Sequence, residues 1–397
     1  MKTILKNIKG DKPLWVFVSL LMLFSIMVVY SASSNLVNTY GKISSWQFIV
    51  KHLILLGLGF VVMYIVHLLK ERAFLVLSHL GIYFVIILLV YTLSRGFTMG
   101  GANASRWIFI PVVGSFQPST LAFLVLMMFT ARFLGRKNGA EMPFMEALKK
   151  YWVYVFIIVG LILPANLSTA LLIFVTTLIV LFIGGYPFKD LMKIIGLSFA
   201  GLVFMILLFK AFPNAISNRL DTWEARIERY FAKDDSSSDK IIINDKNYQE
   251  VHAKIAIAKG GLVRLNPGKS TEKYFLPQSV SDFIYAIIIE EYGLIGGLII
   301  LAIYLFIALR IFIISKNQED KYYKILVLAV GLPLVFQALI NMGVAVGLLP
   351  VTGQPLPLLS SGGTAILITT AAFGIILAAD RIRIEKQRKD LDDFISE

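Results

Sequence analysis

Three carboxylates stand in one apolar run, LPQSVSDFIYAIIIEEYGLIGG over residues 276–297, as Asp282, Glu290 and Glu291. A charged side chain at bilayer depth costs about 2.5–3.5 kcal/mol, so an acid is kept there either for function or to lock helices by pairing with bases. Counted on a helix, Glu290 lies two turns plus roughly 80° beyond Asp282, and Glu291 lies nearly opposite it. The three acids therefore cannot all line one small pocket. Asp282 sits at the water edge, after a polar loop anchored by Pro277. There it can be ionised and reach the headgroup region. Glu290 and Glu291 are expected to be structural, pairing within a bundle or reaching toward a bound cation.

The elements that must position these residues are membrane helices. Of 397 residues, 57% are hydrophobic and only 16% charged, which describes a polytopic membrane protein rather than a soluble domain. Cysteine is absent, which excludes disulfides and thiolate metal sites. The net charge of +13 belongs to juxtamembrane Lys and Arg. With no soluble basic domain to hold it, nucleic acid is excluded as a partner. No phosphate-binding P-loop pattern is present. His52, His67, His79 and His252 lack metal-ligand spacing and read as packing or surface residues.

Apolar segments of spanning length fall at about 13–33, 47–69, 73–94, 116–134, 151–165, 168–185, 188–211, 283–314, 325–348 and 358–380. The expectation is an all-α membrane protein of about ten transmembrane helices in a single domain, residues 1–397. The first apolar run is too long for a signal peptide and reads as an uncleaved span. The fifth and sixth segments meet at residues 164–167, as a tight turn or as one broken helix.

Orientation follows from Lys and Arg. Lys2, Lys6, Lys9, Lys12, Lys70, Arg72, Arg132, Arg136, Lys137, Lys149, Lys150, Lys189, Lys193, Arg310, Lys316, Lys321 and Lys324 all fall on one side, as does the basic tail at 381–397. The positive-inside rule makes that side, with both termini, cytoplasmic. The one long loop, residues 212–281, lies between helices 7 and 8 on the extracytoplasmic side. Within it, residues 219–231 have the spacing of an amphipathic helix on the membrane or closing a cavity, residues 234–239 (DDSSSD) form a solvated hinge, and residues 248–260 resume a helical pattern.

Four stretches of irregular sequence share the outer side: residues 102–119, residues 260–270, the opening run, and residues 348–363 (LLPVTGQPLPLLSSGG). Irregular backbone at membrane depth is tolerated only where it is buried in protein or lines a cavity. Their co-location predicts a cavity open to the outer face.

These residues carry a resemblance. Asn103 with Arg106 and Trp107, then Gln117, Pro118 and Ser119, then Leu276, Pro277, Asp282, Phe283 and Ile284, then Glu290, Glu291, Gly293 and Gly296, and the string over 350–363, occur in that order. Over nearly its whole length the chain resembles the SEDS family of shape, elongation, division and sporulation proteins. Residues 268–293 look more like the division branch, FtsW, than the elongation branch, RodA.

The resemblance implies a peptidoglycan glycosyltransferase of the bacterial cytoplasmic membrane, at the division septum. Such proteins polymerise lipid II, working with a class B penicillin-binding protein and other divisome membrane proteins. The family's essential acid falls on Asp282. Transfer onto a sugar hydroxyl needs a base, and a departing diphosphate needs cations. Asp282 is the expected general base, acting directly or through a bound divalent cation, Mg or Mn. Arg106, Gln117, Ser119, Lys269, Lys273 and Ser360 are the expected substrate-binding residues, and Arg219 is a further source of positive charge.

The chain departs from the family pattern at Thr120 and Phe123, where an acid and a lysine are usual, at Arg264 and Asn266, which interrupt a run of glycines, and at Ser361, where an aromatic is usual. Asn166 and Ser168 stand where Asp and Gly are more frequent. These departures keep two other classes open: a lipid II flippase, and a division scaffold without catalysis. An elongation role in the manner of RodA is a further alternative.

Overall fold

A computed structural model of the chain describes residues 9–40, 45–97, 106–110, 114–211, 247–276 and 279–396. The segments expected over 219–231 and 234–239, and the residues Asn103, Arg219, Pro277 and Gln278, lie outside them.

Helix forms at each of the ten apolar segments. Where no water can satisfy a peptide group, a helix is the element that closes its own hydrogen bonds. The helices are α1 (Lys12–Tyr40), α2 (Ser45–His67), α3 (Glu71–Arg95), α4 (Pro118–Arg136), α5 (Phe144–Ala147), α6 (Val153–Ile162), α7 (Leu167–Ile183), α8 (Phe188–Ala211), α9 (Tyr248–Gly260), α10 (Ile284–Lys316), α11 (Lys321–Ala345) and α12 (Ala365–Ser396). A π-helical turn, Leu148–Trp152, joins α5 to α6. Among the described residues, 7 helices are long and apolar enough to cross a membrane: α1 to α4 and α10 to α12. α7 is apolar but shorter. The junction left open at residues 164–167 is a turn, because Asn166 starts a new helix, its Oδ1 accepting from Thr169 N at 3.2 Å.

The α4, α11 and α12 helices are the most enclosed, and α2 and α3 turn most of their surface outward. α11 packs on both α4 and α10, while α12 lies along α2. The basic tail continues as helix well past the apolar part of α12. Arg383 with Asp380 and Arg381 with Glu385 supply pairs one turn apart that support it.

The two ends of the bundle differ in kind. At one end Arg310 pairs with Asp11, and Arg136 reaches Glu71 at 2.5 Å and Asp320 at 2.6 Å. Lys9 meets Glu385 at 2.9 Å there, so the N-terminal segment and the last helix share this end. The other end is irregular. It carries a short antiparallel hairpin, β1 (Ile108–Ile110) and β2 (Gly114–Phe116), together with the turn before α10 and the loop between α11 and α12.

Candidate active site

Asp282 lies in a turn over residues 279–283 and not on a helix, since α10 begins at Ile284. The helical count from Asp282 to the two glutamates therefore starts one element too early, although the separation it implied is found. The turn is held through its backbone. Ser361 N donates to Val280 O at 2.8 Å, Ser360 Oγ donates to Ser281 O at 2.6 Å, and Asn341 Nδ2 donates to Asp282 O at 2.8 Å.

The prolines of residues 350–363 explain why side chains do this work. Pro350, Pro355 and Pro357 have no amide hydrogen, so the loop cannot close a regular ladder and its carbonyls need donors from elsewhere. Asn341 and Gln337, one turn apart on α11, donate to Gln354 O at 2.8 Å and Pro355 O at 2.9 Å. Tyr304 of α10 donates to Pro357 O. The Gln354 amide in turn donates to Thr169 Oγ1 on α7 at 2.8 Å. Asn341, Gln337, Gln354 and Tyr304 were not singled out from sequence. The signal that would have found them is the pair of amides four apart in the apolar helix stretch FQALIN.

Around the carboxylate itself, Gly353 adopts a φ of +70°, and a Cβ added to it would sit 3.5 Å from Asp282 Oδ2. Burial pushes the Asp282 carboxyl up to about 6, against the Ser281 hydrogen bond and the charge of Arg106, which both pull it down. Arg106 approaches from the hairpin side, with Nε donating to Ala165 O at 2.5 Å in the turn before α7. It lines a cleft of about 300 Å³ with Ser119, Asn166, Thr92 and Leu89. Gln117 donates to Ser119 Oγ at 3.1 Å, and Thr364 Oγ1 donates to Ser115 O at 3.1 Å, tying the hairpin to the start of α12.

Glu290 and Glu291, both buried, do a separate job. Glu290 accepts from Thr271 N at 2.8 Å, Thr271 Oγ1 at 3.0 Å, Glu272 N at 3.3 Å and the Ser270 hydroxyl. Glu291 accepts from Ser270 N at 3.2 Å and from the Ser31 hydroxyl, and its own carbonyl accepts from Asn266 N at 2.9 Å. Neither makes an ion pair among the described residues. Their partners are the amide hydrogens and hydroxyls of one loop together with the Ser31 hydroxyl of α1, which gives each carboxylate strong, charge-assisted bonds.

The loop also fits into a break in α10. Gly293 has φ 71° and ψ 178° inside that helix, and the freed amides of Leu294 and Ile295 donate to Gly261 O at 2.9 Å and Leu262 O at 3.2 Å. Glu272 completes the clamp, buried between Lys259 Nζ at 2.5 Å and His252 Nδ1 at 2.6 Å. Burial raises its carboxyl, but the hydrogen bonds from Lys259 and His252 outweigh this and hold it below the usual range. His252, read from sequence as packing or surface, is a partner of this acid.

The remaining expected site residues fall as follows. Ser360 is buried, with its hydroxyl also accepting from Leu356 N at 2.7 Å. Lys273 is buried, with Nζ donating to Gly268 O at 2.7 Å within the clamped loop, and Lys269 is exposed on that loop. Asp282 and Ser360 thus share one turn, Arg106, Ser119 and Gln117 group at a cleft whose arginine acts on Asp282 by its charge, and the two lysines belong to the clamped loop. Of the departures, Thr120 and Phe123 line a second, mostly apolar cleft of about 360 Å³ with Gln337 and Thr369. Arg264 Nη1 donates to Lys259 O at 2.6 Å, and Ser361 touches the site through its backbone amide.

Residues 11–385 match the model of the FtsW/RodA/SpoVE family, described as cell cycle proteins. The chain belongs to this family. Among relatives, the probable peptidoglycan glycosyltransferase FtsW of Nitrosomonas europaea is 29% identical over 369 residues, 91% of this chain and 90% of the relative. The FtsW of the same description from Escherichia coli O157:H7 is 32% identical over 307 residues, 76% of this chain and 69% of the relative. Stage V sporulation protein E of Bacillus subtilis is 28% identical and covers 95% of this chain and 98% of its own.

Solved structures share the fold of this family member. One, from work on polymerisation and crosslinking by a peptidoglycan synthase complex, aligns with a TM-score of 0.69 at 22% identity over 94% of this chain and 98% of the other. The rod shape determining protein RodA of Thermus thermophilus aligns with a TM-score of 0.64 at 23% identity over 94% of this chain and 97% of the other. The chain is therefore a multi-pass helical membrane protein.

Proposed function

We infer that this chain is a peptidoglycan glycosyltransferase that polymerises lipid II into glycan strands for septal wall synthesis. The observation that carries the reading is the Asp282 turn, pinned by Asn341, Ser360 and Ser361 at the irregular end of the bundle within reach of the charge of Arg106, in a chain whose relatives bear that description. Both termini are cytoplasmic, ten helices cross the membrane, and the irregular end faces outward, in accord with the positive charge gathered at the ion-paired end.

Asp282 takes the proton of the acceptor sugar hydroxyl as that oxygen attacks the anomeric carbon of the donor from the face opposite the leaving group, which inverts the configuration. The bond to the undecaprenyl diphosphate breaks in the same step, and Arg106 stabilises the charge that develops on it. Gln117 and Ser119 line the approach of the polar headgroup. A divalent cation, Mg or Mn, suits a single carboxylate together with the donor's phosphates, and Asp282 is the residue that would hold it. When bound, it would supply further charge stabilisation to the departing diphosphate. A class B penicillin-binding protein, which crosslinks the strands, is the expected partner, alongside other membrane proteins of the divisome.

The test is labelled lipid II given to the purified protein, with and without its cognate penicillin-binding protein, next to Asp282→Ala. Glycan strands from the wild-type pair alone support the enzyme. Movement of lipid across the bilayer without strands would replace this reading with transport, and complex formation with neither activity would replace it with a scaffold.

A further inference from the structure

The clamped loop presents a surface that the reaction does not use. Leu262, Val263 and Leu265 are 66%, 72% and 76% exposed, among the most exposed large apolar side chains of the described residues. They are neighbours in sequence on a loop whose backbone is fixed, because Gly261 O and Leu262 O accept from the amides freed at the α10 break. A rigid loop that holds three large apolar side chains outward is not relaxed in water.

The depth of that break is set by α10. Its 33 residues, with the break at Gly293 among them, exceed the about 20 that a hydrocarbon core about 30 Å thick needs. One boundary is marked by Arg310, paired with Asp11, and by exposed Lys316. Counting about 20 residues back along the helix places the other boundary near residues 290–296, at the level of Gly293. The loop therefore docks where hydrocarbon meets headgroup. Immediately toward the membrane interior, Leu294, Ile295, Leu298 and Ile299 of the same helix are exposed and apolar, so the loop residues extend a lipid-facing surface. Arg264, between Val263 and Leu265, and exposed Lys269 beyond them match anionic phospholipid headgroups.

We propose that residues 260–269 are an interfacial anchor, with Leu262, Val263 and Leu265 inserted into the acyl boundary of the leaflet at the Asp282 end and Arg264 and Lys269 at its headgroups. The anchor ties the depth of the clamp, and hence of the turn beyond it that carries Asp282, to the bilayer surface. A lipid-linked headgroup is presented at that same level. The proposal concerns the lipid contact and stands whether or not the chain polymerises its substrate.

The absence of cysteine makes a site-specific test direct. Leu262→Cys and Leu265→Cys, each carrying an environment-sensitive bimane label, are reconstituted as the full chain in vesicles of phosphatidylethanolamine and phosphatidylglycerol. Phe394→Cys, on the exposed tail, serves as the aqueous control. Lipids brominated near the glycerol end of the acyl chains are expected to quench both loop labels at least twofold, and aqueous iodide is expected to quench only the control. Iodide quenching of the loop labels without bromolipid quenching would overturn the proposal. So would bromolipid quenching abolished by adding the purified partner transpeptidase, since a protein would then cover the surface in the assembled state. Unchanged thermal unfolding of the labelled variants shows that the readout comes from the folded protein.

Discussion

Asn341 donates from a single amide nitrogen to the carbonyls of both Asp282 and Gln354, at 2.8 Å each. One side chain on α11 thereby fixes the turn that bears the acid against the proline-rich loop that faces it. Asn341→Leu leaves two carbonyls short of a donor beside a side chain that is itself buried. A cost of about 1–3 kcal/mol for each is expected. A lower unfolding temperature in detergent, with a loss of polymerisation larger than the loss of folded protein, is the result that checks it.

Asp282→Asn keeps the size of the side chain and removes the base. Polymerisation is expected to fall by about 10²–10⁴-fold, the usual worth of a positioned base. Binding of labelled lipid II to the purified variant, measured alongside, should change little.

The pH profile separates the base from its surroundings. With Asp282 at about 6, the rate should rise through that pH as the carboxyl loses its proton. Arg106 lowers the value, so Arg106→Gln should move the limb to higher pH as well as reduce the rate. A profile that stayed in place in the variant would show that the two groups do not face each other electrostatically.

Glu290→Gln turns an acceptor that meets amide hydrogens and hydroxyls into a group with a donor among donors. A loss of about 1–3 kcal/mol is expected. Faster proteolysis within residues 260–276 should report it. The acid limb of the rate profile should stay where it is, because Glu290 does not touch the Asp282 turn.

Glu272 gives the clamp its own pH dependence. Its carboxyl lies below the usual value when folded, so its stabilisation is present above the ordinary glutamate value and is lost as pH falls through the lowered one. Release of α9 from the loop should therefore set in on acidification below the ordinary carboxylate range, and Lys259→Met should move that release to higher pH. Hydrogen exchange of the α9 amides across this range is the measurement.

The sequence by itself determined the class of protein, the ten apolar segments and the gathering of irregular stretches on one side. Each of these follows from local composition: a run of about 20 apolar residues has one way to satisfy its backbone in lipid, and proline and glycine show where that pattern stops. Its helical count set Asp282 apart from Glu290 and Glu291, but the separation found comes from Asp282 lying in the turn before α10 rather than on another face of that helix. Tertiary structure decided what each acid touches. The partners of Glu290 are about 20 residues away in the chain, those of Asp282 lie on α11 and in the loop after it, and no periodicity encodes such pairings. Whether an amide such as Asn341 faces lipid or a neighbouring backbone is set by which helices meet. That is a property of the packed bundle, and it is why two glutamates expected to be structural seat a loop, with Glu291 also reaching α1 through Ser31, while an unremarked asparagine holds the acid in place.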